Sequence, residues 1–163
     1  MINAEFLNRL NRLQDLCGTQ IILECGIQTV VKDEMKAIKR QNNLKKIELI
    51  TEQLNERKIP FEISVIYGLH RQTLDSFKRT LDYCQTVLQP SIINAWPLML
   101  LRGTELEMRK NEFGLGEETL SADDVGLALP KERIHEGIPH VTSSSSFSKK
   151  DWIEMNRISN KLS

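Results

Sequence analysis

An excess of charge of either sign is missing from this sequence: 22 basic and 22 acidic residues cancel. No global field therefore draws the chain to nucleic acid or to an anionic membrane. Long apolar runs are also missing, and a bilayer span needs about 20 consecutive apolar residues. The opening residues, MINAEFLNRL, lack the apolar centre of a signal peptide. Cysteine is scarce. Cys17, Cys25 and Cys84 are odd in number and irregularly spaced, and none forms Cys-x-x-Cys. That pattern argues against disulfides and fits a reducing, cytoplasmic setting. With those classes excluded, the expectation is a soluble chain of one domain, or a large piece of one, since 163 residues at 40% hydrophobic content can build a core.

What is present centres on residues 61–73, FEISVIYGLHRQT. Ile63 to Leu69 is a short apolar run opened by Pro60 and carrying Gly68 near its end. Its β-branched and aromatic residues favour a strand, and near-continuous apolarity favours one covered on both faces, as in a parallel sheet. Ile63, Val65 and Tyr67 share one face; Glu62, Ser64, Ile66 and Gly68 share the other. Leu74, Phe77, Leu81, Cys84 and Leu88 then repeat at helical spacing, with Thr73 as N-cap, and the helix is expected to stop before Pro90. The unit is strand, glycine-containing turn, helix. In α/β sheets ligands sit beyond the carboxyl ends of the strands, where this turn lies.

The rest of the chain repeats that unit. Residues 3–17 form an amphipathic helix ended by Gly18. Gln20 to Thr29, QIILECGIQT, is a second strand with Ile21, Leu23, Cys25 and Ile27 on an apolar face and Ile22, Glu24, Gly26 and Gln28 opposite. Helices are expected over residues 31–40 and from Leu44 to Leu54. Ser91 to Leu101, SIINAWPLMLL, is a third strand, in which Pro97 cannot donate to a ladder. Thr104 and Glu107 have capping-box spacing for a helix from about residue 105. The β-α-β-α-β order gives a parallel sheet with right-handed crossovers. From Gly114 to His140 the pattern dissolves, with four glycines and two prolines in residues 114–140, as in a surface excursion. A short strand within Pro139 to Ser146 and a last helix capped by Ser148, with Trp152, Met155 and Ile158 on one side, follow. The division drawn is residues 1–113 and an extension over residues 114–163.

The segments ECGIQT with a downstream arginine, ISVIYGL-x-x-QT and LLRGTELE, in that order, resemble the second half of a radical S-adenosylmethionine enzyme core. The likeness runs from Gln20 to the end and is strongest to members that also bind cobalamin; IPHVTSSSSFSKKDWIEM resembles their tails. The resemblance implies half of a partial (β/α)6, TIM-like barrel with a C-terminal helical extension. It implies S-adenosylmethionine held against a [4Fe-4S] cluster, whose reduction cleaves the cofactor to a 5′-deoxyadenosyl radical. By position, Glu24 and Gln28 fall where the family contacts ribose or the methionyl part. Arg40 falls where an arginine pairs with the cofactor carboxylate, and Ser64 and Ile66 where the strand meets ribose and adenine. The end of the third strand, Leu98 to Leu101, falls near adenine. His70-Arg71 stand where relatives commonly carry Pro-Gly, and Ser64 where aspartate is common. The cluster motif Cys-x-x-x-Cys-x-x-Cys is absent, as are the first three strands.

These residues also have plainer readings. Glu24 and Gln28 suit the solvent face of an edge strand, and Arg40 suits a helix C-terminal cap. Cys25 and Cys84 suit small core residues, and His135 and His140 lack further metal ligands. His70 and Arg71 could meet an anion at the following helix or form a solvated turn. The basic run Lys36 to Lys46 reads as a solvated helix surface, and Trp96 and Trp152 as packing anchors. Three functions remain open. The chain contributes half of a cofactor pocket and makes no radical alone, the other half coming from a truncated region or another chain. It is instead a degenerate or split-protein module that docks a partner through its open sheet edge. Or it is an unrelated α/β enzyme holding a phosphate at the Gly68 and Gly103 turns. The sequence identifies no substrate and no catalytic acid, base or nucleophile.

Overall fold

A computed structural model describes residues 4–120 and 137–162. His135 and most of the expected excursion lie outside the described residues. Strands β1 (Leu23–Gln28), β2 (Phe61–Tyr67) and β3 (Ile92–Pro97) form one sheet in the order β1-β2-β3, and both pairings are parallel. Helices α2 (Lys32–Ala37) and α3 (Leu44–Glu56) make the first crossover, and α4 (Leu74–Tyr83) the second. The fold is α/β, as the strand–helix alternation requires.

The central strand is buried on one face and half-buried on the other. Phe61, Ile63, Val65 and Tyr67 are fully buried and meet Phe77, Leu81 and Cys84 in one core. Tyr67 packs on Phe77 and on Trp152, each at 5.7 Å between ring centres. Trp152 belongs to α6 (Lys149–Ser159), which docks on the sheet as its Trp152–Met155–Ile158 spacing predicts. Tyr67 Oη donates to Asn156 Oδ1 of that helix at 2.9 Å. α4 and α6 each start with a reciprocal cap, Thr73 with Ser76 and Ser148 with Asp151. N-terminal helix α1 (Ala4–Cys17) ends at Gly18, whose φ of 60° is the left-handed turn expected there. Among the described residues no helix is long and apolar enough to cross a membrane.

The structure corrects several expectations. β1 is shorter than Gln20 to Thr29 and carries a bulge between Gly26 and Gln28. α2 ends at Ala37 rather than near Arg40: Lys39 turns left-handed at φ 54° and Arg40 N bonds back to Met35 O at 3.0 Å. The helical run from Thr73 stops before Pro90 as expected, but its last part is a π turn (Cys84–Leu88) that Gln89 closes at φ 51°. β3 stops at Pro97, not Leu101. One more bond forms, Leu98 N to Tyr67 O at 2.9 Å, and then Leu98 O accepts from Val141 N at 2.9 Å instead. The expected helix at Glu105 is a single turn, α5 (Glu105–Met108). The excursion contains an unforeseen strand, β4 (Gly116–Thr119), antiparallel to β5 (Pro139–Ser143). The ion pairs Lys110–Glu117 and Lys149–Glu118 flank that ribbon.

Candidate functional site

The carboxyl ends of β1, β2 and β3 open onto a cleft of about 390 Å³. Its first wall is built at the β1 bulge. Gln28 sits there at φ 65°, a conformation that costs a residue with a Cβ and that recurs at functional sites. Its side chain folds over Gly26. A Cβ built on Gly26 would stand 3.2 Å from Gln28 Nε2, 3.3 Å from Oε1 and 3.4 Å from Arg40 Nη2. Gly26 is thus the floor on which both polar groups rest. Arg40 Nη2 donates to Gly26 O at 2.8 Å, and Arg40 takes no part in the ion pairs of the described residues. Gln28 Oε1 is buried and has no partner. Asn42 Nδ2 holds the strand end from behind, donating to Ile27 O at 2.6 Å.

The second wall is the turn after β2, where Ile66, Leu69 and His70 face the cleft. The fully buried Gln72 shapes this turn. Its Oε1 accepts from Gly68 N at 2.8 Å and Leu69 N at 3.2 Å, and its Nε2 donates to Ile66 O at 3.1 Å. Gly68 is required: its φ is 90°, and a Cβ there would meet Val141 O at 3.0 Å. The His70 ring lies 4.6 Å from that of Phe113. Burial, followed by the nearby charges of Arg71 and Arg109, pushes the His70 pKa below the ordinary imidazole value. The ring is therefore neutral at pH 7, and its Nδ1 is buried without a partner.

The third wall follows β3: Leu98, then α5 and Phe113. Lys39 crosses the mouth to Glu105 at 2.6 Å, and Arg109 joins Glu105 at 2.8 Å while its guanidinium lies 4.5 Å over Phe113. Hydrogen bonds from Lys39 and then Arg109 hold the Glu105 carboxyl below its usual range. These cations are committed to a carboxylate; Arg40 is not.

Of the five residues singled out in the sequence, Gln28, Arg40 and Ile66 line the cleft. Glu24 and Ser64 do not. Ser64 Oγ donates to Glu24 Oε1 at 2.7 Å, lower on the same sheet face, where Asn94 Nδ2 likewise donates to Glu62 Oε1 at 2.5 Å. Leu98 lines the cleft, but Leu101 is outside it. Sequence reasoning gave no role to Gln72, Asn42 or Phe113. The Gln-Thr pair was visible as a motif; nothing about its spacing said that the amide would be buried. Among the described residues no three histidine, cysteine or acidic side chains are grouped to hold a metal. Cys17 is exposed, Cys25 half-buried and Cys84 buried, and burial pushes the Cys84 thiol up to about 12. A [4Fe-4S] cluster needs thiolates converging on it, so these cysteines do not fit one.

No protein-family model and no curated protein matches the chain. Solved structures do. TsrM of Kitasatospora setae, a radical S-adenosylmethionine methyltransferase solved with tryptophan substrate and an S-adenosylmethionine analogue, superposes with TM-score 0.60 at 13% identity, over 86% of this chain and 30% of that one. The fold is that of part of a radical S-adenosylmethionine enzyme. The archaeal Elp3 of Methanocaldococcus infernus gives TM-score 0.56 at 14% identity, over 99% of this chain and 40% of its own. Coproporphyrinogen III oxidase (HemN) of Escherichia coli, a radical S-adenosylmethionine enzyme, is 27% identical over 55% of this chain and 20% of its own, with TM-score 0.46. The chain thus spans between 20% and 40% of the length of these proteins.

Proposed function

We propose that the chain contributes half of an S-adenosylmethionine pocket, as the C-terminal part of a radical S-adenosylmethionine enzyme. The observation that carries this is the placement of a guanidinium that meets no carboxylate, Arg40, beside an orphaned buried oxygen, Gln28 Oε1, at the mouth of a parallel sheet. Arg40 offers a two-pronged donor to a carboxylate. Gln28 Oε1 offers an acceptor to the neighbouring ammonium of an amino acid. Ile66, Leu69 and Leu98 give the apolar wall that a flat base needs. Glu24 and Ser64 stand lower on the same face, within the reach of a ribose in a closed barrel. S-Adenosylmethionine, when bound, supplies the reactive sulfonium; the residues here bind and orient it and exclude water. The cysteines do not hold a cluster, so the chain alone binds the cofactor without cleaving it. Cluster and remaining strands come from elsewhere in a longer protein or from another chain.

Calorimetry with S-adenosylmethionine tests this. Arg40→Gln removes a charged hydrogen bond worth about 1.5–3 kcal/mol, so affinity falls about ten- to hundredfold. Gly26→Ala, at a glycine with ordinary φ, keeps the fold by circular dichroism and weakens binding by displacing both polar groups. Absence of heat with the cofactor, or equal affinity in the parent and both variants, removes the proposal. Binding of nucleoside phosphates instead would favour a phosphate site at the glycine turns.

One feature supports a second reading, a module that docks a partner. β1 has no strand on its outer side among the described residues, and Ile22 just before it is 48% exposed, as are Leu13 at 48% and Leu16 at 74% on α1. Such an edge is normally covered. A chain that sediments as a stable monomer at every concentration would count against it.

A further inference from the structure

Beneath the cleft lies a buried carboxyl that the cofactor reading does not use. Glu34, on α2, is 1% exposed. Around it are Thr29 from the end of β1, Gln72 from the turn after β2, and Ser76 and Thr80 from α4, all buried. Thr29 Oγ1 donates to Glu34 Oε2 at 2.5 Å, accepts from Val31 N at 3.1 Å and lies 3.5 Å from Thr80 Oγ1. Thr80 Oγ1 donates to Ser76 O at 3.0 Å. Glu34 Oε1 has no partner.

Each segment that reaches this carboxyl continues into a wall of the cleft. Thr29 follows Gln28. Glu34 lies on the helix that ends just before Lys39 and Arg40. Gln72 clamps Ile66 and Leu69. We propose that Glu34 is a positioning residue whose ionisation sets the relative placement of Gln28, Arg40 and the β2–α4 turn, making the cleft geometry pH-dependent. As a carboxylate it accepts from Thr29. As an acid it donates to Thr29, whose proton then turns toward Thr80 Oγ1. That reversal begins at the residue next to Gln28, and it removes the charge that Gln72 meets at Glu34.

The electrostatics suit such a switch. Burial raises the Glu34 pKa above the ordinary carboxyl value, opposed by Ser76, Thr29, Arg79 and Gln72. Arg79 is the charge facing it from α4; on α2 itself, Asp33 and Lys36 are exposed and pair with each other at 3.8 Å. The acid form therefore adds stability that is full below the unfolded-state pKa and is lost as pH rises through the higher folded-state pKa.

The test is a pH titration of the labelled chain by nuclear magnetic resonance, without ligand. Its failure would therefore leave the cofactor reading intact, and the reverse also holds. Expected is one midpoint, above the ordinary glutamate range, shared by the Glu34 carboxyl carbon and the amides of Gln28, Arg40 and Gln72. In Glu34→Gln those amide transitions vanish, while the His70 ring still titrates. In Thr29→Val, which removes a hydrogen bond that lowers the pKa, the shared midpoint moves to higher pH. The proposal is overturned if the amides follow a different midpoint or keep their transitions in Glu34→Gln. Should that variant not fold, an unmoved midpoint in Thr29→Val overturns it alone.

Discussion

Gln72→Leu will destabilise the chain by about 2–5 kcal/mol, because it strips two buried backbone groups and one part-buried group of their partner at about 1–3 kcal/mol for each buried one and the effects overlap. The groups are Gly68 N, Leu69 N and Ile66 O. Leucine fills nearly the same volume, so packing changes little and the loss reports hydrogen bonding. The turn has no ready substitute: Gly68 sits at φ 90° and Arg71 at φ 68°, so the backbone cannot relax into an ordinary turn and reach other partners. Urea denaturation measures the effect as a lower midpoint with an unchanged slope. Leu69 and His70 lose their support in the same variant, so on the proposed function affinity for S-adenosylmethionine falls more than tenfold even where the chain still folds. A loss below about 1 kcal/mol would mean that water or a repacked loop replaces the amide, and that Gln72 does not shape the cleft.

The sequence made the middle of this fold legible and left its margins unread, for physical reasons. β2 is bounded by Pro60 and Gly68, alternates cleanly and runs into a capped helix, so local and global preferences agree. α6 was legible for the same reason: a reciprocal cap and an apolar stripe. The apolar run outlasts β3, because Leu98 to Leu101 stay apolar after the strand ends at Pro97. The apolarity is real, but after Pro97 it serves the junction with β5, where Leu100 N donates to Pro139 O at 2.7 Å. β4 was invisible because Gly116-Glu117-Glu118-Thr119 has no apolar alternation at all. It is a strand because Pro139 to Ser143 offers it a ladder and lysines meet its carboxylates. The π turn kept Cys84 and Leu88 buried, so the stripe hid the change in winding.

At the cleft, a period of two puts Gln28 on the face opposite Cys25 and Ile27, and its side chain lines the cleft. It arrives through a bulge and a left-handed residue, which no periodicity foresees. Arg40 could have been a plain helix cap. The helix stops three residues earlier, and the guanidinium turns to Gly26 O instead. Glu24 and Ser64 share a sheet face, as a period of two requires, but their mutual hydrogen bond is a tertiary fact, set by the pairing of Gly26 with Ser64. Phe113 carried no signal, being a lone aromatic after a single helical turn.

Truncating Trp152 tests whether the tail and the sheet are one cooperative unit or the separate parts drawn at residue 114. The indole is fully buried and packs on Tyr67 at 5.7 Å, while its Cδ1 lies 3.7 Å from where a Cβ on Gly68 would be. Trp152→Ala leaves a cavity beside the Gly68 turn and is expected to cost about 3–5 kcal/mol. For a chain of this size that lowers the melting temperature by about 6–20 °C. The indole N–H has no partner to lose, so Trp152→Phe forfeits volume alone and falls well short of the alanine variant. Circular dichroism and the fluorescence of the remaining Trp96 should report one transition, shifted together. If instead α6 melts early and the sheet keeps the parent's midpoint, the extension is a separate unit. The Tyr67–Asn156 bond would then be an accessory contact and not part of the foundation beneath Gly68.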